Sequence, residues 1–140
     1  MTDRDHTPDG TRSQRIGIDE AVLCADKPIE NLKRILDDAH TTDRRLLLTR
    51  LSQEKMAALS ELHRQNIDYE AVSRTGWYGE TADTPEQAPQ VAVVTAGTSD
   101  VPVAREAVRT LAFSGVACTE VYDVGVAGLW RLLDLSLIHI

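Results

Sequence analysis

Short apolar runs alternate along this chain with longer segments of helical period, and that alternation constrains the fold more than any other feature. Leu46–Thr49 and Val91–Ala96 are branched-chain runs too short for helices, so they read as buried strands, the second buried on both faces. Ile29, Leu32, Ile35, Leu36 and Ala39 recur at helical spacing, with Glu30, Lys33, Arg34 and Asp37 turned outward. Strands separated by amphipathic helices predict an α/β fold with parallel pairing and right-handed crossovers.

The pattern resolves into two units. Residues 1–15 read from their polarity as a disordered leader, and residues 16–73 as a small N-terminal α/β unit. There Asp19–Ala25 is a strand, Asp26 and Pro28 start the first helix, and Leu46–Thr49 is the second strand. Ser52 caps a second helix whose stripe, Met56, Leu59, Leu62 and His63, runs to Gln65, and Ile67–Val72 alternates as a third strand. Residues 74–90 contain Gly, Pro, Thr and acidic residues without a period and read as a linker, with Trp77 and Tyr78 as a local aromatic pair.

The second unit, residues 91–134, opens with Val91–Ala96, then Gly97-Thr98-Ser99-Asp100, then a helix with Pro102 in its first turn. Val103, Ala107, Val108, Leu111 and Ala112 make that helix's inward stripe, and Gly115 ends it. Val116–Val124 is the next strand. After Gly125 a helix turns Val126, Leu129, Leu132 and Leu133 inward.

Charge and composition exclude several functions. The net charge is -7 and no basic run occurs, which speaks against a nucleic-acid partner. Asp3, Asp5 and Asp9 stand where a secretory signal needs basic residues, and no apolar run reaches membrane-spanning length, so the expected location is the cytoplasm, without a membrane partner. Cys24 and Cys118 lie far apart in apolar runs without metal-ligand spacing, and read as small buried thiols, with a redox or nucleophilic role as the alternative.

The chemistry-bearing feature is the junction Gly97-Thr98-Ser99-Asp100 between a strand and a helix. In a parallel sheet such loops sit at the carboxyl ends of strands, where ligands bind, and the next helix presents unpaired N–H groups to an anion. Gly97 permits close backbone approach, and the hydroxyls of Thr98 and Ser99 can donate to phosphate oxygens. Asp100 would repel phosphate and better suits a ribose hydroxyl, a cationic ring or Mg2+. The same residue types also cap helices, so Ser99 or Asp100 as a plain cap remains the alternative. The loop matches neither the P-loop nor the dinucleotide fingerprint. One crossover later, Asp123-Val124-Gly125-Val126-Ala127-Gly128 returns to the same sheet edge, so two loops can share one ligand. Asp123 suits ribose or metal, Gly125 and Gly128 allow close approach, and Arg131 could neutralise a phosphate; a plain glycine turn with a cap and a solvated Arg131 is the alternative.

VVTAGTSDVPVAREA (residues 93–107) followed by YDVGVAGLWRLLD (residues 122–134) resembles the LarB carboxylases, relatives of the aminoimidazole ribonucleotide carboxylases of the PurE family; EAVLCADKP (residues 20–28) adds a weaker match. The resemblance implies a flavodoxin-like, PurE-like parallel-sheet domain in a homo-oligomer, with the nucleotide held by Gly97, Thr98, Ser99, Asp100, Asp123, Gly125 and Gly128. It implies carboxylation and phosphoanhydride hydrolysis of nicotinic acid adenine dinucleotide in nickel-pincer cofactor biosynthesis, with CO2 or bicarbonate as co-substrate. A PurE enzyme of purine biosynthesis would show Ser-Ala-His-Arg where this chain has Val-Gly-Val-Ala-Gly, which favours LarB. A non-enzymatic nucleotide- or protein-binding α/β module is the remaining alternative. Trp130 departs from the His that LarB relatives show before Arg131. The resemblance also implies catalytic segments beyond residue 134, so the expectation is an incomplete, inactive fragment with an anomalous tail at residues 135–140.

Overall fold

The computed structural model describes residues 20–79, 88–89 and 91–139, and the chain divides into two units, residues 1–82 and 83–140. Both are α/β. Among the described residues no helix is long and apolar enough to cross a membrane.

The first unit contains β1 (Ala21–Leu23), α1 (Ile29–Thr41), β2 (Leu46–Thr49), α2 (Gln53–Ala58), α3 (Glu61–Gln65), β3 (Ile67–Glu70) and β4 (Thr75–Tyr78). Its sheet runs β1-β2-β4-β3. The α1 crossover makes β1 and β2 parallel, with Val22 opposite Leu48. Alternation along the strands aims Val22, Leu46, Leu48, Ile67 and Tyr78 into one core, where Leu32, Ile35, Leu36 and Ala39 of α1 meet them. Leu32, Leu36 and Leu48 are fully buried, each worth about 1.5–3 kcal/mol relative to exposure. Pro28, rather than Asp26, occupies the N-cap of α1.

Three expectations for this unit are corrected. The 74–90 linker begins with a strand, because Thr75–Tyr78 enters the sheet antiparallel to both β2 and β3. Glu70 pairs with Thr75, leaving a four-residue connection that closes a hairpin, with Arg74 at φ 53°. The third strand is therefore antiparallel to its neighbour rather than part of a wholly parallel sheet. The second helix is also two helices. Leu59 adopts ψ 156°, and Ser60 starts a new turn by accepting the His63 N–H at 3.2 Å. This restart resets the helical phase, turning His63 inward while Leu62 is 49% exposed.

The second unit contains β5 (Val91–Val94), α4 (Val101–Phe113), β6 (Cys118–Val121) and α5 (Leu129–His139). β5 and β6 pair in parallel, Val91 opposite Cys118 and Val94 opposite Val121, as the α4 crossover requires. α4 ends in a Schellman turn: Gly115 at φ 75° donates to Ala112 O, and Val116 N donates to Leu111 O at 2.9 Å. The expected burial patterns shift here. β5 is not buried on both faces, since among the described residues it pairs only with β6, and Val94 is 56% exposed. The buried face of α4 is Ala104, Val108, Arg109 and Phe113, and Val103 is exposed. Leu129, Leu132 and Leu133 likewise face outward rather than inward.

Candidate functional site

The carboxyl ends of β5 and β6 are joined by backbone. Thr95 continues the ladder by donating to Val121 O at 2.9 Å, and its own carbonyl accepts from Val124 N at 3.0 Å. Gly125 N donates to Ala96 O at 2.8 Å. A Cβ built on Gly125 would lie 2.6 Å from that same oxygen, so only glycine lets the loops approach this closely. The buried Thr95 also offers its hydroxyl oxygen to Asp123 N at 3.4 Å. The two junctions singled out from sequence are thus neighbours at one sheet edge, and the direction of the strands puts them there.

The first loop folds as a 3-10 turn, Thr98–Asp100, leading into α4. Asp100 reaches back so that its Oδ2 accepts Gly97 N at 3.2 Å. Its carboxylate therefore shapes the turn, and Thr98, Ser99 and Asp100 are exposed to solvent. Beside Asp100 lies a depression of about 410 Å3 with apolar walls from Val93, Val94, Val103, Ala104 and Ala107.

The second loop is held by Arg131. Asp123 adopts φ 59°, a left-handed conformation that Asp tolerates better than most residues. Arg131 Nη1 pairs with Asp123 Oδ2 at 2.9 Å and donates to Asp123 O at 3.2 Å. Asp123 is thus already partnered by a cation, while Gly128 N closes a second 3-10 turn on Gly125 O at 3.0 Å. A Cβ on Gly128 would meet Arg131 Nε at 3.3 Å and Trp130 Nε1 at 3.4 Å. Arg131 Cζ lies over the Trp130 ring, 5.4 Å from its centroid, and Trp130 is 63% exposed. Upstream, Arg105 binds Glu120 through both carboxylate oxygens at 3.0 and 2.8 Å, and Tyr122 donates to Glu120. Burial, followed by that hydrogen bond, pushes the Tyr122 hydroxyl pKa upward.

Neither thiol belongs to these loops. Cys24 is fully buried in the first unit, and burial pushes its pKa up to about 11. Cys118 opens β6, at the strand's amino end and away from the two loops, and is partly rather than fully buried. Among the described residues no three His, Cys, Asp or Glu side chains assemble as a metal site. Thr95 was not among the residues read from sequence as a site. Its signal was its place as the last branched polar residue before Gly97.

The architecture is that of an α/β protein with two backbone-linked loops at the carboxyl edge of a parallel strand pair. Residues 5–80 match the LarB/PurE-like N-terminal domain family, more than half of the chain, and the chain belongs to that family. It is also similar to the uncharacterized protein MJ0165 of Methanocaldococcus jannaschii, 56% identical over 43 residues. That match covers 31% of this chain and 17% of the relative, so the chain spans under a fifth of the relative's length.

Proposed function

We propose that the second unit binds a nucleotide at its paired loops and that the chain serves a LarB-type rather than a PurE-type reaction. In that reaction nicotinic acid adenine dinucleotide is carboxylated with CO2 or bicarbonate and its phosphoanhydride is hydrolysed. The observation carrying this reading is the Gly125 N to Ala96 O contact, which brings two polar, glycine-containing loops to one strand edge. Membership of the LarB/PurE family supports the carboxylase relationship. Val124-Gly125-Val126-Ala127-Gly128, in place of Ser-Ala-His-Arg, favours the pyridinium substrate over the aminoimidazole one.

In this reading Thr98 and Ser99 donate to phosphate, and the amino end of α4 adds its partial positive charge. Asp100, tied to Gly97 N through one oxygen, accepts from ribose through the other. Mg2+ would be held by Asp100 together with the ligand's own phosphates, and would offset their charge. Asp123, neutralised by Arg131, orders the second loop. These residues bind; neither loop carries a thiol to add to the electron-poor ring, and the chain is expected to bind without turnover.

Calorimetric titration with nicotinic acid adenine dinucleotide tests the reading. The expected result is saturable binding that Ser99→Ala and Asp100→Ala each weaken, with no AMP released in bicarbonate. Preference for aminoimidazole ribonucleotide would transfer the chain to the PurE reaction. Absence of binding to either would withdraw the nucleotide reading.

A further inference from the structure

We infer that Trp130 is a stacking platform for the electron-poor ring of the nucleotide, positioned by Arg131; this rests on the nucleotide reading of the two loops. Leu129, Leu132 and Leu133 share one face of α5, and Trp130 lies outside that stripe, about 60° around the helix from its nearest member, Leu133. Its surroundings are the loop instead. The indole nitrogen and the Arg131 guanidinium pack beside Gly128, 3.4 Å and 3.3–3.5 Å from where its Cβ would stand. A chain of contacts then leads to the first loop. Arg131 lies over the indole, Asp123 pairs with Arg131, Asp123 N reaches Thr95, and Thr95 stands two residues before Gly97.

The chemistry of this arrangement selects its guest. An indole face is electron-rich and attracts cations and electron-poor rings. Arg131 lies over the ring, yet the side chain remains 63% exposed, leaving indole surface open to a planar guest. Because Asp123 neutralises Arg131 at 2.9 Å, a cationic ring is not repelled at full strength. A pyridinium attached to a ribose phosphate offers a group to each part of this arrangement: phosphate for the first loop, ribose for Asp100 and an electron-poor ring for Trp130.

Two probes separate the ring from the phosphate: nicotinic acid mononucleotide carries both, and ribose 5-phosphate carries only the second. In the full chain the mononucleotide should quench indole emission, and Trp130→Phe should remove most of that quenching because Trp77 is the other indole. Trp130→Ala should weaken mononucleotide binding about tenfold, within the range of one base–aromatic stack. It should leave ribose 5-phosphate unchanged, and Trp130→Phe should restore most of the lost affinity. If Trp130→Ala binds both probes like wild type while Asp100→Ala loses both, the stacking role is wrong and the nucleotide reading stands. If wild type binds neither probe, both fail together.

Discussion

Lys55→Met should loosen the first unit in a way that no inspection of the neighbouring sequence would suggest. The Lys55 ammonium donates to three carbonyls of the β1–α1 connection, Cys24 O at 2.6 Å, Ala25 O at 2.6 Å and Lys27 O at 2.8 Å. Methionine keeps the length of the stem and removes the donors. Charge-assisted bonds at a half-exposed site are worth about 1 kcal/mol each net, because water replaces part of what is lost, so the cost is about 2–3 kcal/mol. For a unit of this size the melting temperature should fall on the order of 10 °C. The assay pairs thermal unfolding by circular dichroism with Ellman labelling of Cys24 in a Cys118→Ser background. Cys24 follows β1 directly and is fully buried, so opening of the connection should accelerate labelling about thirtyfold, matching a loss of about 2 kcal/mol. An unchanged melt together with unchanged labelling would refute the claim that these three bonds hold the connection closed.

Gly125→Ala should destabilise the second unit by about 1–3 kcal/mol, since its Cβ meets the Ala96 carbonyl, backbone that cannot swing aside. Gly128→Ala, which meets only the flexible Arg131 and Trp130 side chains, should cost much less; equal urea midpoints for the two variants would contradict the close-approach argument. Cys24 predicts an alkaline limit. Its thiol is raised by burial from 9.0 to about 11, with Lys55 and Lys27 offsetting only part of the rise. The unfolded chain therefore releases this proton first, and stability falls between pH 9 and about 11 by about 3 kcal/mol. Denaturant titrations should show a shallower fall over that window in Cys24→Ala, and parallel profiles would refute the assignment.

Where burial and period coincide, the sequence is a good guide. Leu32, Ile35, Leu36 and Ala39 repeat at helical spacing and fill the core, and Leu46–Leu48 is buried at every position. Two local signals compete with period elsewhere. Ser60 accepts a hydrogen bond as an N-cap and interrupts a stripe that looks continuous from Met56 to His63. Gly76 and Gly79 give Thr75–Tyr78 the composition of a loop, although Tyr78 is buried and pairs with both Leu46 and Ile67. At the candidate site, the neighbourhood of the two junctions follows from parallel strand direction and is legible. The Arg131 to Asp123 pairing is not, because a reach of eight residues across a turn leaves no periodic trace. The outward turn of Leu129, Leu132 and Leu133 is equally hidden, since periodicity finds an apolar face without saying what covers it.

The position of β4 bears on how the first unit is made in the cell. β4 is the last strand of its sheet to be synthesised, yet it occupies an interior place, between β2 and β3. Until residue 78 clears the ribosome the nascent chain can pair only β1 with β2, and β3 has no neighbour at all. The hairpin formed by β3 and β4 is a local structure that closes in microseconds once both strands are out. Sheet completion therefore comes as one late event, and the leucines of β2 wait beneath α1 with an open edge while the following residues are translated.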